Sequence, residues 1–223
     1  MSELVLFEVS EGGLATITLN RPNRLNAINM AMRDQLWEYI RACPEIPGLR
    51  ALVFRGEGRA FSAGADISEF GSAPSILDAR RGRHDRDLWV ELLALPFPTV
   101  ALMHGFCFGA GLELPLCCDY RIAADGTTFA LPEVTLGYMP SACATQTLPR
   151  TAPPAVAAAM ILTGEPISAS DALRWGIVDE VKAPSLLGGA LSSTLALLDG
   201  EDARQAFMAR RLRLFPPRVA AAS

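Results

Sequence analysis

Two short runs of β-forming residues open the chain and predict a β-hairpin. Residues 3–9 (ELVLFEV) and 14–20 (LATITLN) are rich in Leu, Val, Ile and Thr, and the SEGG between them supplies a glycine turn. We therefore expect two paired strands before the first helix.

The hydrophobic period then changes from two to between three and four, which predicts an amphipathic helix. Its apolar stripe comprises Met32, Leu36, Tyr39 or Ile40, and Cys43. Asn29 is a candidate N-cap, and Pro44 is expected to end the helix. The simplest role for this stripe is packing in the core.

Continuous apolar runs at 50–56 (RALVFRG) and 99–105 (TVALMHG) are typical of strands that are buried on both faces. Each is followed by a glycine-containing turn and then by a helical pattern, and YRIAAD and TTFAL continue the alternation. This order predicts an α/β fold with mainly non-hairpin crossovers.

Beyond residue 153 the pattern is mostly helical. AVAAAMILTG and SASDALRWGIVDEV both predict helices, the second with Ser168 or Ser170 as its N-cap, and two apolar helices are expected to follow up to residue 215. We expect one continuous structural unit, with a core at 1–153 and a helical C-terminal region at 154–223.

The composition fits a single globular domain. The 223 residues are 50% hydrophobic and 20% charged, with a formal net charge of -4. This charge argues against general attraction to nucleic acid or to an anionic membrane. No charged segment followed by an apolar run opens the chain, and we expect a cytoplasmic protein that acts on a small molecule.

Several catalytic classes are disfavoured by the residues available. Five cysteines without paired spacing are expected to be reduced core residues, and His84 and His104 are too few imidazoles for an ordinary zinc or iron site. Ser62 and Ser141 do not lie in a nucleophile-elbow motif. The glycines of GFCFGAG do not form the G-x-G-x-x-G pattern of dinucleotide binding.

A mixed run of charges lies between the strands, with Arg80, Arg81, Arg83, His84 and Arg86 beside three aspartates. Such a run is usually a solvated helix face, but arginines could also contact the phosphates of a ligand. Both interpretations stay open from the sequence.

Two glutamates, Glu113 and Glu133, lie among Leu, Pro, Cys, Phe and Val. A carboxylate in apolar surroundings loses hydration or changes its pKa, so it tends to be paired, hydrogen-bonded or used in chemistry. The alternative is that both side chains simply face water, as most glutamates do.

Ala65 in SAGADI and Ala110 in FGAGLE lie in glycine-flanked turns that precede helices. Backbone N–H groups at a helix N-terminus can point at a developing negative charge. Two such turns could hold one carbonyl oxygen, whereas for either turn alone a purely structural role is the simpler interpretation.

Five segments resemble, in order and spacing, the enoyl-CoA hydratase/isomerase (crotonase) family: NRPNRLNAIN, GRAFSAGADISEF, MHGFCFGAGLELPLCCDYRIAAD, FALPEVTLGYMP and ILTGEPISASDALRWGIVDEV. They span roughly residues 4–182. The resemblance implies a ββα superhelix, a homotrimer or dimer of trimers, and an acyl thioester of coenzyme A as substrate. It implies no metal or redox cofactor.

The resemblance also assigns residues. Ala65 and Ala110 match the two amides of the family's oxyanion hole. The residues that match the lining of the coenzyme A moiety are Arg24, Leu25, Asn26, Ala27, Ala63, Asp66 and Ile67.

Glu113 and Glu133 match the two catalytic glutamates of the hydratases, which face one another across a water. One carboxylate takes a proton from the water that adds to the β-carbon, and the other, protonated, supplies the α-proton. Isomerases tend to keep only the carboxylate at the position of Glu133. The resemblance therefore favours an acyl-CoA hydratase, with another crotonase reaction (isomerisation or decarboxylation) or a non-catalytic CoA-binding or subunit-assembly protein as alternatives.

The sequence departs from the hydratase pattern in three places. Ser141, Cys143 and Ala144 stand where hydratases generally have glycines, which predicts a small or unusual acyl group. Pro115 follows Glu113 closely and is expected to be tolerated only near the first turn of its helix. The chain also ends at Ser223, before the helices with which relatives cover the acyl site, so looser enclosure is expected.

Overall fold

The computed structural model describes residues 3–72, 75, 77, 86–189 and 200–214; for 203 and 212–214 it describes the backbone alone. The strands are β1 (Val5–Val9), β2 (Leu14–Leu19), β3 (Ala51–Gly56), β4 (Thr99–Met103), β5 (Phe106–Phe108), β6 (Tyr120–Ala124), β7 (Thr128–Ala130), β8 (Ile167–Ser168) and β9 (Glu180–Lys182). The helices are α1 (Met30–Ala42), α2 (Leu88–Ala94), α3 (Ala110–Leu116), α4 (Ala144–Thr151), α5 (Pro154–Thr163), α6 (Ala169–Arg174) and α7 (Glu201–Leu214).

Six strands form the main sheet in the order β1-β2-β3-β4-β6-β9. The predicted hairpin is confirmed, because β1 and β2 pair antiparallel with Val5 opposite Leu19. The other neighbours in this sheet pair parallel. A smaller sheet, β5-β7-β8, lies beside it. The α/β class with crossover connections is therefore confirmed.

Every residue of β4 is buried, as expected for a central strand covered on both faces. One face of the main sheet contributes Val53, Val100 and Ile122 to a core cluster that is covered by Leu187 and by Phe207 of α7. The larger cluster on the other side includes Met32, Leu36 and Ile40 of α1. The predicted stripe of α1 therefore packs in the core, and the Asn29 side chain caps the helix by accepting a hydrogen bond from the Met32 N–H.

The prediction of a mostly helical region after residue 153 is wrong in two places. SASDALRWGIVDEV forms helix only at Ala169–Arg174, where Ser168 is the N-cap, and Glu180–Lys182 is strand β9 at the edge of the main sheet. Ile167–Ser168 is a second short strand that pairs with β7. Partners that are remote in sequence decide both strands, and hydrophobic period cannot reveal such partners.

Helix α7 also differs from the expected apolar helix, because its sequence EDARQAFMARRLRL is rich in charge. It is anchored by Arg211, a buried side chain whose guanidinium donates to the Asp119 carboxylate and to the carbonyls of Leu95 and Phe97. The C-terminal helix is thereby fixed to the residues that lead into β4 and β6.

Among the described residues, no helix combines the length and the apolar character that crossing a bilayer requires.

Candidate active site

The two glycine-flanked turns lie against each other. Gly64 has φ +99°, and a Cβ built on it would lie 2.8 Å from the Phe108 carbonyl oxygen and 3.6 Å from the Ala110 nitrogen. Gly109 has φ +52°, and a Cβ there would lie 3.8 Å from the Gly64 Cα. Both positions therefore need glycine for their backbone conformation and for this close approach.

The N–H groups of Ala65 and Ala110 donate no hydrogen bond to any residue in the described ranges. Ala65 forms a parallel bridge with Ile28 through its neighbours, since Gly64 supplies the carbonyl and Asp66 the N–H. Ala110 is the first residue of α3, where an N–H has no intrahelical acceptor. Two adjoining turns thus keep one donor each available for a ligand.

Glu113 lies in the first turn of α3 and is buried. Its Oε1 accepts hydrogen bonds from the N–H groups of Ala142 (3.1 Å), Cys143 (2.8 Å) and Ala144 (2.8 Å). Ala144 begins α4, so the carboxylate also lies at the positive end of that helix. Backbone donors and helix dipole together stabilise the ionised form of Glu113.

Glu133 has a different environment. It lies in the 3₁₀ turn Pro132–Leu136, only 4% of its surface is exposed, and its Oε2 has no hydrogen-bond partner among the described residues. Burial raises the pKa of Glu133 to about 7, and the negative charge of Glu113 contributes to this rise.

Glu133 also lies beside the glycine turns. A Cβ built on Gly109 would lie 2.9 Å from the Glu133 Oε1. The Glu133 carboxyl group is thus next to the turn that presents the Ala110 N–H.

The segment predicted to line coenzyme A forms a tight turn at residues 24–27, called here the coenzyme A turn. Leu25 and Asn26 both have left-handed backbone conformations, with φ of 49° and 54°. Asn26 is fully buried, and its side chain accepts from the Arg21 N–H and donates to the carbonyls of Glu57 and Ala60. Its amide therefore holds the turn, while Arg24 is exposed.

Hydrogen bonds connect the coenzyme A turn to the glycine-flanked turn that contains Ala65, called here the Ala65 turn. The Ala63 N–H donates to the Leu25 carbonyl, and Arg21 donates to both the Ala27 carbonyl and the Asp66 carboxylate, the latter at 2.9 Å. Hydrogen bonds from Ser68 and from Arg21 lower the pKa of Asp66. Ala63 is half-buried and Ile67 is 61% exposed at the rim of the turn.

Sequence reasoning did not identify Arg21 as part of the site. Its hydrogen-bond acceptors Ala27 and Asp66 lie six and forty-five positions further along the chain. No local sequence pattern links Arg21 to both of them.

An aromatic pair was also not predicted. Phe70 and Tyr138 meet edge to face, with ring centroids 5.3 Å apart. Phe70 follows the Ala65 turn, and the Tyr138 N–H donates to the Glu133 carbonyl. The pair therefore joins the two segments that carry the candidate oxyanion and acid groups.

Pro115 lies inside α3, beyond the first turn to which the sequence analysis restricted it. A proline there leaves the Gly111 carbonyl without its helical N–H partner. The Cys107 thiol donates to that carbonyl instead, at 3.0 Å. This contact explains why α3 tolerates the proline beside Glu113.

Of the arginine-rich run, Arg80, Arg81, Arg83 and His84 lie outside the described residues. Arg86 forms ion pairs with Asp34 and Glu38 and lies over the Trp37 ring. For Arg86 the solvated-face interpretation holds.

A cleft of about 530 Å³ lies elsewhere, between α7 and the segments that lead into β3 and β4. Pro47, Phe97 and Met208 are among its lining residues, which include none of the predicted site residues. The glycine turns and the two glutamates are therefore the better candidate for the active site.

The profile of the enoyl-CoA hydratase/isomerase family matches residues 9–210. The chain belongs to this family. It is 38% identical to the 2,3-dehydroadipyl-CoA hydratase of Escherichia coli over 181 residues, which are 81% of this chain and 69% of that protein. A probable enoyl-CoA hydratase of Bacillus subtilis is 40% identical over 74% of this chain and 64% of that protein.

The crystal structure of an enoyl-CoA hydratase from Mycobacterium smegmatis superposes with a TM-score of 0.82 at 32% identity, covering 87% of this chain and 76% of that one. The crotonase fold is thus confirmed, and the protein is an enzyme of the hydratase type. The chain spans about two thirds of the length of the two curated relatives.

Proposed function

We propose that this protein adds water across the 2,3 double bond of an enoyl-CoA thioester. The observation that carries the proposal is the contrast between the two buried glutamates. Glu113 accepts hydrogen bonds from three N–H donors, which favour a carboxylate, whereas the pKa of Glu133 is raised to about 7. An ionised base and a protonated acid at one site are what hydration requires.

The proposed reaction begins with the thioester oxygen between the N–H groups of Ala65 and Ala110. As water attacks the β-carbon, negative charge moves onto this oxygen, and each donor lowers the barrier by about 3 kcal/mol. A Glu113 carboxylate oxygen takes the proton that the attacking water loses. Glu133 then donates its proton to the α-carbon, and the enolate becomes a saturated 3-hydroxyacyl thioester.

Net proton balance is kept when the Glu113 proton returns to Glu133 or exchanges with solvent after product release. The reaction in this form uses neither a metal nor a redox cofactor. The Arg21–Asp66 ion pair supports it indirectly, because it fixes the coenzyme A turn and the Ala65 turn in one arrangement.

We assign the coenzyme A moiety to the rim formed by Arg24, Leu25, Ala27, Ala63 and Ile67. Asn26 and Asp66, which were grouped with these residues in the sequence analysis, hold the two turns through Arg21 and neighbouring carbonyls. The Phe70–Tyr138 pair is our candidate for the wall that limits the acyl group.

A second candidate is double-bond isomerisation by one carboxyl group. The observation that favours it is the engagement of the Glu113 Oε1 with three N–H groups, which lowers the basicity of that carboxylate. Glu133 alone would then move a proton between two carbons of the acyl chain.

The test is incubation with crotonyl-CoA and a panel of longer and aromatic 2-enoyl-CoA thioesters. Loss of the absorbance of the conjugated thioester, with a product heavier by one water, supports hydration. A 3-enoyl-CoA substrate converted to its 2-enoyl isomer, without added water in the product, supports isomerisation. No conversion of any thioester by a protein that binds coenzyme A would contradict both.

A further inference from the structure

Two thiols meet behind Glu113. Cys117 is the C-cap of α3 and Cys143 is the N-cap of α4, and their sulfur atoms are 3.3 Å apart. Both are free cysteines.

Cys143 touches Glu113 in two ways. Its N–H donates to the Glu113 Oε1 at 2.8 Å, and its thiol donates to the Glu113 carbonyl at 3.3 Å. A change in the bonding of the Cys143 sulfur is therefore transmitted directly to the candidate base.

The placement of the two sulfurs suits a covalent bond. A disulfide needs a sulfur–sulfur distance of about 2.05 Å, so closing the pair requires a movement of roughly 1 Å. Each cysteine caps its helix, so closing the pair draws the end of α3 and the start of α4 together. Cys143 is half-buried as a residue, while Cys117 is buried.

We propose that Cys117 and Cys143 form a reversible disulfide that lowers the activity of the site. This switch rests on the proposed hydratase function. The oxidant is a small-molecule disulfide: the Cys143 thiolate attacks one of its sulfurs and releases one thiol. The Cys117 thiolate then attacks the Cys143 sulfur and releases the second thiol. Two protein thiols are oxidised, one disulfide is reduced, and both protons leave with the two small thiols.

The disulfide removes the Cys143 S–H that donates to the Glu113 carbonyl. It also draws Cys143 toward α3, which changes the positions of the N–H groups that hold the Glu113 Oε1. A displacement of about 1 Å at a catalytic group lowers turnover by as much as ~10², and we expect a loss of this size.

Burial raises the pKa of the Cys143 thiol well above its usual range, so little thiolate exists at neutral pH and oxidation is slow. The protein should therefore be equilibrated for hours with oxidised glutathione before unreacted oxidant is removed. We expect the titratable thiols to fall from the five of the sequence by the two that are consumed, and peptide mapping to join Cys117 to Cys143. Reduced dithiothreitol should restore both thiols and turnover.

The variant Cys117→Ser, or Cys117→Ala if the first folds poorly, should keep its turnover under oxidation and form no such link. Cys43→Ser is the matched control, because it removes another buried thiol and should leave the switch intact. Five thiols that still titrate in the wild type would overturn the proposal, as would a disulfide that leaves turnover unchanged.

Failure of the proposed function gives a different result. A reduced protein that converts no thioester rules out hydration, while the thiol count and the peptide map still score formation of the disulfide.

Discussion

Glu113 and Glu133 have the same side chain, but the surroundings of Glu113 favour the ionised form and those of Glu133 favour the protonated form. One carboxylate faces backbone donors at the start of α4, and the other faces apolar surroundings with an unpaired oxygen. The sequence placed both among apolar residues but did not show which would be ionised, because the three donors to Glu113 come from about thirty positions further along the chain.

Glu133 should make the stability of the protein depend on pH. Folding raises the pKa of Glu133 from 4.5 to about 7, so the folded state binds this proton more tightly than the unfolded state. The stabilisation from this proton is complete below pH 4.5 and is lost as pH rises through about 7.

Glu133→Gln cannot ionise, so it does not lose this contribution as pH rises. We therefore expect its free energy of unfolding, relative to that of the wild type, to increase by about 2 to 3 kcal/mol from pH 4 to pH 8. Urea denaturation at both pH values measures this difference, with Glu69→Gln as an exchange at a less buried position. If the difference in unfolding free energy between the wild type and the variant does not change with pH, Glu133 has an ordinary pKa in the folded protein.

Gly109 should tolerate no side chain. In Gly109→Ala the new Cβ meets the Glu133 Oε1 at 2.9 Å, in a backbone conformation that costs alanine about 1 kcal/mol or more. We expect hydration to fall by ~10² through displacement of Glu133 and the Ala110 N–H. Gly126→Ala has a similar positive φ with open space around it, so it separates backbone strain from damage to the site.

At the scale of elements, local signals predicted well and long-range ones did not. Residues close together in the sequence determine the Asn29 cap, the apolar stripe of α1 and the glycine turns. The structure has the hairpin, α1 and the parallel strands where they were expected. Strand β9 was missed because its pairing partner, β6, lies almost sixty positions earlier. Pro115 was tolerated deeper in α3 than expected because the Cys107 thiol replaces its missing N–H.

The anchoring of α7 depends on one buried ion pair. Arg211 is 3% exposed and pairs with Asp119, which also accepts from the Thr99 N–H and hydroxyl. Removing one partner of a buried pair leaves the other charge without compensation, so Arg211→Met should destabilise the protein by about 3 to 5 kcal/mol.

Chemical denaturation measures this loss against a surface control. Arg86→Met breaks ion pairs whose arginine side chain is 42% exposed and should cost less than about 1 kcal/mol. Equal effects of the two substitutions would mean that α7 contributes little to the folded state.

The whole molecule carries an apolar surface that a solvated monomer does not need. Leu136, Met139 and Leu162 are 53%, 67% and 71% exposed, and α5 packs against the 3₁₀ turn that carries Leu136. We expect self-association through the region from residue 154 onward, as a trimer or dimer of trimers.

Light scattering at micromolar concentration tests this expectation. Leu162→Asp should reduce the measured mass, whereas Val90→Asp, at a position of similar exposure on α2, should not. A wild-type protein that is monomeric under these conditions would contradict the prediction.

The central claim is that two carboxyl groups with different protonation states hydrate an enoyl thioester. Single-turnover kinetics test it most directly, with the variants Glu113→Gln, Glu133→Gln and the double substitution. The glutamines keep the size of the side chains but neither accept nor donate the reacting proton. We predict that each single change lowers turnover by ~10² or more, with coenzyme A binding retained, and that the double change costs little beyond the worse single one. If Glu113→Gln still converts the substrate at the wild-type rate while Glu133→Gln does not, the two-carboxylate account is wrong and a one-carboxylate isomerase replaces it.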